Sequence, residues 1–213
     1  RRMLKKLRPS EPEIDALLAC PDRRTAQGRR DHGLLLFLYN SGARADEAAQ
    51  LIIGNLDLDA ASVSIVGKGR KHRHCPLWPV TVGELSALVG QRASQERVFL
   101  NRCGAPMTRF GVHALVERIA PMAQTVMPSL TKKRVSPHSI RHSTATHLLR
   151  SGVDINTVRA WLGHVSLDTT NIYAEIDLEG KAKALAKCDI TNEIGPTKRW
   201  VKNPDLMQFL RSL

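Results

Sequence analysis

The sequence predicts an α+β domain, mainly helical with one small three-stranded antiparallel sheet. Two patterns predict it: apolar residues recur at helical spacing along most of the chain, and the stretch 56–77 switches to alternation. Size agrees, because 213 residues that are 42% hydrophobic can bury a core of their own, which excludes disorder as the default.

Arg1 to Arg8 is a basic run that stops at Pro9 and reads as the end of an interdomain linker, residues 1–9. Ser10 with Glu13 makes a capping-box pattern ahead of Ile14, Leu17 and Leu18, so the first helix begins there. Pro21 to Thr25 punctuate a loop. His32 to Tyr39 carry an apolar helix that Gly42 can end in a left-handed cap. Arg44 to Leu51 follows as a short helix, with Ala48, Leu51 and Ile52 toward the core and Arg44 and Glu47 sharing the other face. Leu56/Leu58, Val63/Ile65 and His74 to Leu77 mark three strands, divided by Asp59-Ala60-Ala61 and by Gly67-Lys68-Gly69-Arg70. Helices are expected again at residues 81–92, 108–120, 137–150, 155–162 and 167–174. Asp177 to Lys187 suits one more, before a last amphipathic piece with Trp200, Leu206, Phe209 and Leu210. The expected division is a linker at 1–9, a domain at 10–178 and a tail at 179–213.

Lys and Arg number 32 against 20 Asp and Glu, a formal net charge of +12, which favours a polyanionic partner. Nucleic acid fits, although membrane-surface binders and simply basic enzymes share this balance. Cys20, Cys75, Cys103 and Cys188 are widely spaced with no CxxC pair, which argues against a disulfide framework or a common zinc spacing and for a reducing compartment. No apolar run approaches the roughly 20 residues that span a bilayer, and the basic start lacks the apolar segment of a secretory signal. A cytoplasmic protein with no membrane partner is expected.

Chemistry concentrates in a few segments. In Ser136-Pro137-His138-Ser139-Ile140-Arg141-His142, Ser136 suits a helix cap and Pro137 the first turn, so His138 and Arg141 project together where a helix N-terminus favours anions. Taken alone, the pair could equally be surface groups of an amphipathic helix. His164 lies just past Trp161-Leu162-Gly163, and Tyr173 follows in Asn171-Ile172-Tyr173; singly, each is as readily structural. Arg44 stands at a helix entry with Glu47 one turn on to orient it, and Lys68 sits in a glycine-rich turn whose flexibility would let its amine reach a ligand. His138/His142 and the group His72/His74/Cys75 make a zinc module conceivable, but no third ligand has convincing spacing.

Together, Arg44, Lys68, His138 with Arg141, His164 and Tyr173 resemble the tyrosine recombinase, or phage integrase, family, whose pattern is Arg, Lys, His-x-x-Arg, His or Trp, and Tyr. The flanking segments SGARADEAAQL, GKGRKHRHCPL, SPHSIRHSTATHLL and VRAWLGHVSLDTTNIYAEI are similar too, and the resemblance runs over residues 10–178. Ala45 departs from the bulkier residue often found after the first Arg. The N-terminal helical domain usual in the family has no counterpart after Arg1, so a catalytic-domain fragment is expected.

The resemblance implies the catalytic-domain fold of that family and a site-specific recombinase or integrase of mobile or chromosomal DNA. It makes Arg44 and Arg141 the grip on the phosphate, His164 a further hydrogen-bond donor and Tyr173 the nucleophile. His138 is then the general base and Lys68 the acid, with no metal and no cofactor. It also implies double-stranded DNA as partner and a homo-oligomer, a tetramer on DNA, joined through the tail. Arg70, Lys71, Arg73, Lys132, Lys133 and Arg134 are expected to contact the DNA backbone, or else to form a solvated rim. Two alternatives remain: a type IB topoisomerase, which shares the chemistry, and a noncatalytic DNA-binding relative.

Overall fold

In the computed structural model, which describes residues 8–67, 69 and 71–163, Ser10 opens the first helix as its sequence predicts. Its backbone N–H donates to Glu13 Oε2 at 2.7 Å, and α1 runs Glu11–Ala19. Just before it, Pro9 accepts a hydrogen bond from Ser143 Oγ at 2.6 Å and Arg8 Nη1 donates to Thr146 Oγ1 at 3.2 Å, so the end of the expected linker is held by a later helix. Residues 1–7 lie outside the described residues.

Helix α2, Ala26–Ser41, starts ahead of the apolar run His32–Tyr39 because Thr25 caps it, accepting from the Gly28 N–H at 2.9 Å. Gly42 ends it with φ +60, and a Cβ there would lie 2.4 Å from Leu162 Cδ2. A side chain at this position meets both the left-handed backbone and a steric clash. Gly42→Ala is therefore expected to lower stability by more than about 1 kcal/mol; an unchanged urea-unfolding midpoint would contradict this.

Helix α3 is Ala45–Gln50, and the sheet follows as β1 Leu56–Asp57, β2 Ser62–Val66 and β3 His72–Pro76 in the order β1-β2-β3, antiparallel throughout. Val63 pairs with Cys75 and Ile65 with Arg73, and these four residues form the buried face of the hairpin. Helix α4, Pro79–Val89, starts two residues earlier than expected because Pro79 takes the first-turn position.

Helix α5, Arg109–Val126, overruns its expected end near Pro121. Proline in a helix interior removes a hydrogen bond and costs about 3 kcal/mol, but Ile119, Ala120 and Ala123 bury on both sides of it and α5 packs against α1 and α3. Packing outweighs the local breaker. Helices α6, Pro137–Arg150, and α7, Ile155–Leu162, keep the expected bounds. The helices expected at 167–174 and 177–187 lie outside the described residues.

The core is centred on α2, whose Leu34, Leu35, Phe37 and Leu38 are covered and which packs against α4 and α6. Phe37 meets Phe99 with ring centroids 5.7 Å apart. Each such side chain contributes roughly 1.5–3 kcal/mol of burial. A second cluster, Ala145, Leu149, Val158 and Leu162, fastens α7 to α6. No helix among the described residues is long and apolar enough to cross a membrane.

Candidate active site

The start of α6 is built as its sequence suggests: Ser136 Oγ accepts from the Ser139 N–H at 3.2 Å, and Pro137 needs no partner in the first turn. One turn on, Arg141 is 5% exposed. Its Nη1 donates to the Gly42 carbonyl and its Nη2 to the Leu162 carbonyl, each at 2.5 Å. These carbonyls sit at the C-terminal ends of α2 and α7, where helix geometry leaves acceptors unsatisfied. One guanidinium thus binds three segments together. Gly42 lies two residues before Arg44 in the sequence, and Leu162 two before His164.

Glu47 forms a second junction. Its carboxylate is 7% exposed and accepts from the Arg44 backbone N–H at 2.8 Å and from Arg44 Nη1 at 2.7 Å. It also takes both ends of the Arg73 fork, Nη1 at 3.1 Å and Nη2 at 2.6 Å. Burial pushes its acidity the other way, but the bonds and charge of Arg73, with the Arg44 contacts, outweigh that and hold the Glu47 pKa at about 2. The Arg44 side chain remains 44% exposed, oriented at one end and open at the other.

His138 is exposed at the N-terminal end of α6, and its Nε2 stands 2.7 Å from Nε2 of His142. One of these nitrogens must carry the proton that the other accepts, so the two imidazoles share one hydrogen bond. The i, i+4 spacing was visible in the sequence as a possible ligand pair, but the partnership of His142 with His138 was not read from it. Cys75 and Trp161 are also unforeseen members of the surroundings: Cys75 Sγ donates to the Trp161 carbonyl at 3.4 Å, and Trp161 Nε1 donates to the Asn40 carbonyl at 3.3 Å. Burial pushes the Cys75 thiol up, which keeps it neutral.

Lys68, Arg70, His164 and Tyr173 lie outside the described residues. Their neighbours do not. A Cβ on Gly67 would be 3.5 Å from Glu47 Oε1, and one on Gly163 would be 3.1 Å from Arg73 Cδ. Gly163 itself closes α7 in the left-handed region at φ +63.

Two expected backbone contacts are corrected. Arg73 is 9% exposed on the inner face of β3, and its guanidinium is committed to Glu47 and, through Nε at 2.9 Å, to the Trp161 carbonyl. Lys133 pairs with buried Glu13 and has a side chain only 14% exposed. Lys71, Lys132 and Arg134 are exposed. Strand alternation also separates Cys75, on the buried face, from His72 and His74 on the outer one. No three His, Cys, Asp or Glu side chains meet among the described residues in a way that could hold a metal ion.

Both buried glutamates are depressed from 4.5 to about 2; for Glu13, burial opposes this and bonds from Lys133, Ser129 and Ser10 prevail. A lowered folded-state pKa contributes stability that is present above the unfolded value and is lost as pH falls through the folded one. The melting temperature is therefore expected to fall between about pH 4.5 and about pH 2, and less steeply in Glu47→Gln than in the parent. Parallel melting curves for the two proteins across that range would refute the Glu47 contribution.

The phage integrase family model matches residues 8–179. The integrase/recombinase y4rC of Sinorhizobium fredii is 38% identical over 207 residues, 96% of this chain and 62% of the relative. Among solved structures, XerA recombinase superposes with a TM-score of 0.70 at 22% identity, covering 90% of this chain and 66% of that one. XerH site-specific recombinase bound to a difH substrate, a pre-cleavage complex, gives 0.66 at 28% identity, covering 85% and 55%. The chain spans less than two thirds of the length of curated relatives that it matches.

Proposed function

The chain belongs to the phage integrase family, and from that premise we propose that it is the catalytic domain of a tyrosine recombinase, cutting and rejoining duplex DNA through a covalent 3′-phosphotyrosine. The observation that carries this reading is the Arg141 guanidinium bridging the ends of α2 and α7. That bridge joins the start of α6 to the ends of α2 and α7, next to the positions in sequence where this reading puts Arg44, His138 and His164.

A phosphodiester resists attack because its charge repels the nucleophile and the transition state places still more charge on the nonbridging oxygens. Arg44 and Arg141 answer that charge, and His164 adds a donor; one preorganised donor of this kind is worth about 3–4 kcal/mol of transition-state stabilisation. The Tyr173 hydroxyl attacks phosphorus and gives its proton to His138 while the bond to the 5′ oxygen breaks. Lys68 protonates that oxygen as it leaves. The phosphoester bond to Tyr173 conserves the energy of the broken linkage, so a 5′-hydroxyl from another strand can reverse the step without ATP. The exposed bases Lys71, Lys132 and Arg134, with Arg70, hold the DNA backbone.

The XerH complex with its difH substrate supports DNA as the partner. Within the same reading the catalytic unit is 10–178, the tail 179–213 joins copies into a tetramer on DNA, and the reaction takes place in the cytoplasm. The test uses a randomised pool of nicked duplexes, in which departure of a short strand traps the cleaved end. A covalent adduct on a denaturing gel, mapped by mass spectrometry to Tyr173, is expected. Its absence over the whole pool, or its mapping to another residue, would overturn the proposal.

A further inference from the structure

Arg73 has no role in the chemistry outlined above, yet its side chain ties two parts of the site's framework together. Its forked nitrogens hold Glu47, which in turn holds both the backbone N–H and the guanidinium of Arg44. Its Nε holds the Trp161 carbonyl in the last turn of α7. Two glycines lie against it: a Cβ at Gly163 would sit 3.1 Å from Arg73 Cδ and 3.4 Å from Nη1, and one at Gly67 would sit 3.6 Å from Nη1. Gly67 directly precedes Lys68, and Gly163 directly precedes His164.

From this junction we infer that Arg73 is a positioning residue, a buried cation that sets the mutual placement of the segments bearing Arg44, Lys68 and His164. The inference rests on the recombinase reading and extends it. The physical reason is the shape of guanidinium: a planar fork with five donors satisfies a carboxylate with one edge and a carbonyl with Nε, which the single point of a lysine ammonium cannot do at once. Register puts it there, because pairing with Ile65 places Arg73 on the inner face of β3, away from solvent and from any duplex lying over the outer face. A misplacement of about 1 Å in a catalytic group costs on the order of 100-fold in rate, so loss of a residue that positions the segments next to such groups is expected to lower rate more than affinity.

The test compares the parent chain, Arg73→Gln and Arg73→Lys on a duplex recovered from the nicked pool as a cleaved sequence. Single-turnover cleavage at saturating DNA is expected to fall about 100-fold in Arg73→Gln, with partial recovery in Arg73→Lys, while duplex Kd stays within about twofold of the parent, since no contact to DNA is lost. Weaker binding with a parental rate at saturation would make Arg73 a DNA contact and overturn the inference, as would parental behaviour in both measurements. Should Arg73→Gln fail to fold, Glu47→Gln carries the test: it leaves the Arg73 bond to Trp161 in place and removes the carboxylate that orients Arg44. A parental cleavage rate in that variant would equally overturn the inference. Failure of the parent chain to form any adduct would instead bring down the recombinase reading, whereas an active parent with an equally active Arg73→Gln removes only the positioning role.

Discussion

Tyr173→Phe is expected to form no covalent DNA adduct and to cleave at least about 10⁴-fold more slowly than the parent, the scale set by removing a nucleophile from an otherwise intact site. The substitution deletes one oxygen and keeps the ring, so gel-shift affinity for the same duplex should stay within about twofold. The two measurements separate chemistry from binding. Adduct formation by this variant would place the nucleophile elsewhere, and a parallel loss of affinity would make Tyr173 a binding residue.

Arg141→Lys is expected to lower single-turnover cleavage by about 10²–10³, equivalent to roughly 3–4 kcal/mol of transition-state stabilisation. Charge is preserved, but the bidentate reach is lost. The Gly42 and Leu162 carbonyls now share one buried guanidinium, at 2.5 Å each. An ammonium has to reach both carbonyls from one nitrogen instead of two, which is expected to weaken at least one bond and to cost up to about 1–3 kcal/mol of stability. Cleavage and denaturant unfolding should therefore both respond. Full activity in Arg141→Lys would show that a point charge suffices and that the fork has no catalytic part.

The candidate site was legible to different depths in different places. The α6 segment declared itself, since a serine cap, a first-turn proline and apolar residues at helical spacing all act within a few positions of one another. The same holds for α7, closed by Gly163. Helix α5 runs past its expected end because the burial of Ile119, Ala120 and Ala123 against other elements overrides the local cost of Pro121. The sequence marks His138 and His142 only as a possible ligand pair, because a hydrogen bond between two imidazoles one turn apart leaves no compositional trace.

Arg73 is the instructive miss. Its charge, close to Arg70 and Lys71, reads as a DNA-backbone contact or part of a solvated rim. Yet the alternation Arg73, Cys75, Leu77 sets it in phase with two apolar residues, and that parity was available as a sign that it points inward. Sequence could not name the acid waiting there. Glu47 lies 26 positions away, on a different element.

The sequence by itself determined the helix caps, the single alternating hairpin and the order in which the candidate site residues occur, because caps, turns and periodicity arise from interactions among residues a few positions apart. Only the tertiary structure decided which charges are committed inside the protein. The bond from Arg141 to Gly42 closes a separation of 99 positions. Whether such a guanidinium meets a buried carbonyl or open solvent depends on how helices and sheet pack, and the free energy of a buried charge is set by those distant partners, not by its neighbours in the chain.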